Sequence, residues 1–148
     1  MIVSTRVEYG VMALLDIAIH SENGISVSTT DIAERQAISQ KYLEQILPLL
    51  RQAGLIRAQK GLRGGYRLAR PASGVKLSEV INALDASVLA DMESAEDGRE
   101  DTFRNPVNEC LWSRLNGMLQ GYAEKVTLDE FLAECRAKKA GGWDLYVI

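Results

Sequence analysis

The polar side chains at the start of one predicted helix are of the types that contact DNA bases and phosphates. They are Ser39, Gln40, Lys41, Tyr42 and Gln45. Glutamine pairs with an adenine edge and serine bonds a base or a phosphate, while tyrosine can bond a phosphate or pack on a sugar. Glu44 lies among them and would either accept from a cytosine amine or repel wrong sites. Taken alone, these residues also suit the solvated face of an ordinary core helix.

A basic, glycine-rich turn follows that helix. Residues 55–58 and 66–69 look like two short strands, and Lys60 and Arg63 lie between them among Gly61, Gly64 and Gly65. Basic side chains in such a turn follow a phosphate backbone or enter a minor groove. The alternative is an ordinary solvated hairpin. A polar helix followed by a basic hairpin favours a winged helix-turn-helix that binds double-stranded DNA.

The elements that must position these side chains follow from spacing and caps. Ser39 caps a helix whose apolar face is Leu43, Ile46, Leu47 and Leu50, and we expect that helix to continue through Pro48. Ser28 opens a shorter helix that ends near Gln36, and a brief turn joins the two. Two short helices joined in this way form a helix-turn-helix.

A first helix is predicted from a cap at Ser4 to about Ser21. Helix N-termini favour anions, so the residues that begin this helix and the next can also reach phosphates. These weaker candidates are Thr5, Arg6, Thr29 and Thr30.

A long helix with excess apolar surface is predicted further on. After a helix at 77–84, residues 86–105 are acidic and lose periodicity, which indicates a mobile loop. Residues 106–126 regain helical spacing, with an apolar stripe broader than one packing face needs: Leu111, Trp112, Leu115, Met118, Leu119 and Tyr122. Such a surplus predicts a dimer interface. Thr127 should open a short last helix that Gly141 and Gly142 break, and the apolar tail 143–148 should dock against another surface.

The predicted fold class is therefore mostly α with a small β-hairpin wing. We expect a winged helix-turn-helix domain at 1–85, an acidic flexible loop at 86–105, and a dimerisation helix with a C-terminal segment at 106–148. The charge distribution agrees, because residues 1–70 carry nine basic and six acidic side chains although the whole chain of 148 residues has a net charge of −3.

Composition and motifs argue against other classes of protein. No catalytic constellation and no phosphate-binding loop signature are present, so no catalytic residue, metal ligand or cofactor is predicted. Cys110 and Cys135 are expected to be buried structural thiols. Together with the lone His20 they supply fewer ligands than the four that a structural zinc site requires. The absence of a long apolar run predicts a cytoplasmic protein.

Three motifs resemble the Rrf family of bacterial winged-helix regulators. They are Ser39-x-x-Tyr42-Leu43-Glu44-Gln45, Leu50-Arg51-x-x-Gly54-Leu55 and Gly61-x-x-Gly64-Gly65-Tyr66-x-Leu68. The opening Ser4-Thr5-Arg6-x-x-Tyr9-Gly10 and the step Thr127-Leu128-x-x-Phe131-Leu132 are similar as well. The resemblance implies a homodimer that binds a partly palindromic operator through two recognition helices and two wings, with contacts from Ser39, Tyr42 and Gln45.

The chain departs from the cluster-binding members of that family, which carry three cysteines before the long helix. Residues 86–106 contain none. The resemblance is therefore to a cluster-free branch, in which activity can depend on a partner protein.

The sequence predicts a regulator that acts as a repressor. Two alternatives remain: a sensor of the same fold that responds through a thiol or a ligand, and a protein-interaction module that does not bind DNA. The operator, the effector and any regulatory protein partner are left open.

Overall fold

The computed structural model describes residues 3–91 and 102–146, with side chains up to residue 141. Helices dominate, and one β-hairpin is inserted among them, which confirms the predicted fold class. The elements are α1 Thr5–His20, α2 Thr29–Gln36, α3 Gln40–Gln52, β1 Ile56–Gln59, β2 Gly65–Leu68, a 3₁₀ turn Ala72–Gly74, α4 Leu77–Leu84, α5 Arg104–Val107, a π-helical turn Asn108–Trp112, α6 Ser113–Lys125 and α7 Leu128–Tyr146.

Serine caps set the starts of the first three helices, as predicted. The hydroxyl oxygens of Ser4, Ser28 and Ser39 each accept a hydrogen bond from the backbone N–H three residues later, at 3.1–3.3 Å. Each cap satisfies one N–H group that the helix itself leaves unpaired. Pro48 lies within α3, which runs unbroken around it.

The main core lies where α1, α3 and α4 pack together. Leu14 and Ile17 of α1 meet the buried face of α3, and Val80 and Leu84 come from α4. Gly10 allows this close packing, because a Cβ there would lie 2.3 Å from Leu84 Cδ2. The helix that bears the predicted DNA-reading side chains therefore packs against the main hydrophobic core.

The hairpin is antiparallel, with Ile56 opposite Leu68 and Arg57 opposite Arg67. Both strands differ by one residue from the prediction, because the buried Leu55 precedes β1 and Gly65 begins β2. Val27 also pairs with Tyr66, through two backbone hydrogen bonds of 2.8 Å. The α1–α2 linker therefore holds the hairpin along a second edge.

The predicted break at Gly141 and Gly142 is wrong, because α7 continues through both glycines to Tyr146. Glycine costs a helix about 1 kcal/mol per residue, and no proline follows to stop it. The predicted docking of the tail 143–148 lies outside the described side chains.

The predicted loop 86–105 has a wrong C-terminal boundary, because α5 already begins at Arg104. The start of this predicted loop is anchored, since the buried Leu89 accepts hydrogen bonds through its carbonyl from Asn116 and Gln120 of α6, at 3.2 and 2.6 Å. Residues 92–101 lie outside the described part of the chain.

Among the helices described, none combines the length and the apolar character that a membrane span requires.

Candidate nucleic-acid interface

Helices α2 and α3 form a helix-turn-helix with a tight connection. Ala37 adopts a left-handed conformation with φ of 54°, and Ile38 is buried in the turn. The hydrophobic side of α3 faces the core, so its polar side must face outward. Four side chains are exposed there. Gln40, Lys41 and Gln45 are predicted DNA contacts, and Glu44 lies among them.

Tyr42 occupies a different environment from its neighbours on α3. It is half-buried, and its ring meets the ring of Tyr9 edge-on, with centroids 5.5 Å apart and an interplanar angle of 83°. Aromatic rings favour this edge-to-face arrangement. The contact joins the start of α3 to α1 and restricts the orientation of the tyrosine ring.

The weaker candidates at the helix starts are placed less uniformly. Thr30 is exposed, and its hydroxyl accepts a hydrogen bond of 2.6 Å from the Gln40 amide. This bond joins the starts of α2 and α3. Thr5 is exposed, whereas Thr29 is half-buried. Arg6 already pairs with Asp85 at 3.7 Å, so a phosphate would have to compete with that carboxylate.

The wing turn presents its basic side chains to solvent. Lys60, Arg63 and the intervening Leu62 are all exposed. Its base is closely packed, since a Cβ on Gly65 would lie 2.3 Å from the Val27 carbonyl oxygen. Only glycine permits this approach, so the residue next to the turn is set by backbone packing.

A buried carboxylate ties α1 to the helix-turn-helix. Asp16 is 1% exposed and accepts two hydrogen bonds from the Arg35 guanidinium and one from the Gln36 amide, each 2.9 Å long. His20 Nε2 lies 4.0 Å from the same carboxylate. Both Arg35 and Gln36 belong to the last turn of α2, so this group orients α2 against α1.

Two opposing effects act on the pKa of Asp16. Burial alone raises the pKa, but the hydrogen bonds from Arg35 and Gln36 and the charge of Arg35 outweigh it and hold the pKa below its ordinary value. Sequence reasoning missed this role, because Asp16 gave no signal beyond a charged residue on an apolar helix.

The predicted dimer stripe is solvent-exposed in the single chain. Its side chains are 36–72% exposed and belong to Leu111, Trp112, Leu115, Met118, Leu119 and Tyr122. The stripe begins in the π-helical turn, where the Ser113 N–H donates to the Asn108 carbonyl five residues back. So much contiguous apolar surface is typical of a contact site for another macromolecule.

Backbone pairing connects the stripe-bearing helix to the DNA-reading unit. Lys76 and Thr127 form an isolated antiparallel bridge. Within it Leu77 N–H donates to the Val126 carbonyl at 3.0 Å, and Leu128 N–H donates to the Val75 carbonyl at 2.8 Å. The end of α6 is therefore joined to the start of α4.

The prediction of two buried thiols is wrong. Cys110 is exposed and Cys135 is half-buried. Cys110 precedes the apolar Leu111 and Trp112 in sequence, but it lies on a helical surface that nothing within the described chain covers. Burial, and secondarily the charge of Glu134, raises the pKa of the Cys135 thiol, which disfavours its reactive thiolate form.

Taken together, a capped helix-turn-helix and an exposed basic hairpin define a winged helix-turn-helix protein. Comparison with known proteins then narrows the class. The family model Rrf2, described as "Iron-dependent Transcriptional regulator", matches residues 3–134.

Curated relatives and solved structures agree with the family match. The transcriptional regulator IscR of Photobacterium profundum is 35% identical over 94% of this chain and 80% of its own length. IscR of Escherichia coli is 38% identical over 87% of this chain and 78% of its own length. The structure of CymR, the global cysteine regulator of B. subtilis, superposes with a TM-score of 0.76 at 26% identity, covering 90% of this chain and 98% of CymR. T. potens IscR superposes with a TM-score of 0.71 at 31% identity, covering 91% and 88%.

This chain belongs to the Rrf2 family. It is a DNA-binding transcriptional regulator and not an enzyme, as predicted.

The described residues contain no ligand set that matches the iron in the family description. The sequence has two cysteines and one histidine, and residues 92–101 contain neither type. Cys110 is in the π-helical turn, Cys135 in α7 and His20 at the end of α1. Within the described ranges, no three His, Cys, Asp or Glu side chains are grouped so that they could hold a metal. Two cysteines are too few for the four thiolates that usually hold an iron–sulfur cluster.

Proposed function

We propose that the protein is a homodimeric repressor that binds a partly palindromic operator in the cytoplasm. The exposed polar face of α3, followed directly by the exposed basic hairpin, carries this proposal. The two recognition helices would enter successive major grooves, and the wings would contact the flanking backbone. Bound in this way, the dimer would block access of RNA polymerase to a promoter.

We assign base contacts to Gln45 and Gln40 on α3. Ser39 and Tyr42 would position the helix through phosphate or sugar contacts, as would Thr5, Arg6, Thr29, Thr30 and Lys41. Gln40 already donates to Thr30, so it must exchange that bond for a base contact. Gln45 is exposed and has no side-chain hydrogen bond within the described residues, which leaves its amide ready for an adenine edge.

Replacing Gln45 with alanine is expected to weaken operator binding by about 1–3 kcal/mol, the range for one bidentate base contact. Fluorescence anisotropy with DNA from upstream of the protein's own gene measures this loss. Binding to unrelated DNA should change little, because it depends on phosphate contacts.

Gln52→Ala is the matched control for this substitution. Gln52 is the same residue type, is exposed, and ends the same helix. It should leave operator affinity unchanged. Equal affinities of wild type and Gln45→Ala for the operator would show that Gln45 does not contact DNA.

The double substitution of Lys60 and Arg63 by alanine should reduce the salt dependence of binding. Each lost phosphate contact lowers the log–log slope by about 0.9, so the expected change is about 1.8. Titrations between about 50 and 200 mM salt measure the slope. The loss should be similar for operator and unrelated DNA, because phosphates carry no direct sequence information.

The matched control removes two positive charges from α7 instead, as Lys138→Ala and Lys139→Ala. Both lysines are exposed and far along the chain from the wing. A wing variant with the slope of wild type would show that the wing does not contact DNA. If the wild type lacked salt-sensitive binding altogether, the DNA-binding assignment itself would be refuted.

A further inference from the structure

A cleft of about 610 Å³ opens on the body of the protein behind the wing. Its walls are the end of α1, the strands of the hairpin and the first turns of α7. None of the side chains assigned to DNA contacts lines it. This cleft is therefore separate from the surface assigned to DNA.

The side chains around the cleft carry an excess of positive charge. Four arginines line it, Arg57, Arg67, Arg70 and Arg136, against only two carboxylates, Glu22 and Asp129. Arg136 is paired with Glu22 at 3.2 Å, and Arg70 is paired with Glu79 at 2.6 Å. Asp129 accepts from the Thr127 hydroxyl. Arg57 and Arg67 are therefore the two arginines of the lining that have no carboxylate partner among the described residues.

Arg57 and Arg67 are placed as a pair. They lie directly opposite each other in the antiparallel register of β1 and β2. Neither has a side-chain hydrogen bond or an ion pair within residues 3–91 and 102–141. Like charges in directly opposite positions destabilise a hairpin, unless an anion lies between them.

The rest of the lining is apolar. Leu68 and Leu132 contribute to it, together with Pro71 and Ala72. A ligand with a charged head and a short hydrocarbon body would therefore match both parts of the cleft. Guanidinium groups bind carboxylates and phosphates through paired, charge-assisted hydrogen bonds.

We propose that this cleft binds a small organic dianion, a dicarboxylate or a phosphate ester, through Arg57 and Arg67. The bound anion would neutralise two positive charges at the base of the wing. The anion would therefore lower the affinity for DNA, and DNA would lower the affinity for the anion by the same factor. This coupling rests on the proposed DNA contacts of the wing, whereas anion binding itself does not.

Calorimetric titration of the full-length protein without DNA tests the site directly. Succinate and inorganic phosphate serve as separate probes, and sodium chloride of equal ionic strength is the background. Saturable binding of either probe is expected, and the comparison identifies the preferred oxyanion. Arg57→Gln and Arg67→Gln should each weaken binding about tenfold or more, because each removes a charge-assisted contact.

Lys139→Gln is the matched control, since it removes one positive charge from an exposed position of α7 outside the cleft. It should bind the probe as wild type does. Thermal unfolding without a probe confirms that each variant is folded. The site is refuted if neither probe binds above the chloride background, or if both arginine variants bind as wild type does.

A second titration separates this proposal from the DNA proposal. The probe that binds in the first titration should weaken operator binding by the wild-type protein, but not by the double variant Arg57→Gln, Arg67→Gln. If neither probe binds the wild-type protein and the arginine variants bind DNA more weakly, both arginines contact DNA phosphates and the anion site is wrong. If a probe binds but DNA does not, the anion site stands and the proposed function fails.

Discussion

Replacing Leu115 with arginine is expected to convert the proposed dimer to a monomer and to weaken operator binding by about 100- to 10,000-fold. The size of the effect follows from bivalency, because a dimer binds its second half-site at a high effective concentration and a monomer does not. Leu115 is 46% exposed and lies in the middle of the apolar stripe. An arginine there would be buried without a partner in the proposed symmetric interface, which would contain two such charges because both copies carry the substitution.

Light scattering coupled to size-exclusion chromatography measures the mass, and anisotropy measures the operator affinity. Since Leu115 is exposed in the single chain, the fold of the monomer should survive the change, as circular dichroism would show. Ser113→Arg is the matched control, because Ser113 is exposed and two residues away, on a different face of the helix. A dimeric Leu115→Arg protein with normal affinity would exclude the stripe as the dimer interface.

Replacing Arg35 with methionine is expected to lower the free energy of unfolding by about 2–3 kcal/mol at pH 7. Removing one partner of a buried ion pair costs about 3–5 kcal/mol, because it leaves an uncompensated charge. The expected loss here is smaller, since the Arg35 side chain is 35% exposed and water can reach the site. Urea unfolding at a fixed protein concentration measures it.

Two variants define the origin of this loss. Arg136→Met removes an exposed pair with Glu22 and should change stability by no more than about 0.5 kcal/mol. Adding Asp16→Leu to Arg35→Met removes the orphaned carboxylate, so the double variant should recover part of the stability. A double variant that is less stable by the sum of both changes would contradict the ion-pair explanation.

The pH dependence follows from the lowered pKa of Asp16. A carboxylate whose pKa is lower in the folded state stabilises the fold above its unfolded pKa, near 3.9. That contribution disappears as the pH falls through the folded pKa. The stability difference between wild type and Arg35→Met should therefore be full at pH 7 and shrink as the pH falls toward the lowered folded pKa of Asp16. A difference that stays constant across this range would show that the charge of Asp16 is not responsible.

Local patterns in the sequence were sufficient for most of the helices. The serine caps and the apolar periodicity of α1 and α3 are short-range features, and they act in the same way in any fold. The motifs around Ser39 and Gly64 likewise indicated the family. The exposed stripe of the long helix was visible as well, because it has more apolar positions than one packing face can cover.

Other features depend on residues that are distant in sequence. Asp16 gains its role only from Arg35 and Gln36, about twenty positions later. The predicted burial of Cys110 failed because the apolar Leu111 and Trp112 that follow it belong to a surface that no other described residue covers. The predicted break at Gly141 failed because a modest local preference did not end the helix.

The sequence alone determined most of the helices, the serine caps and the presence of the basic hairpin, since these depend on neighbouring residues. The tertiary structure alone decided which charged side chains have a partner of opposite charge. It places Arg35 against a buried carboxylate and Arg70 against Glu79. Arg57 and Arg67 lie opposite each other on the two strands of the hairpin, without a partner among the described residues. Whether a charge has a partner depends on distances of a few ångströms between separate elements, and hydrophobic periodicity contains no such information.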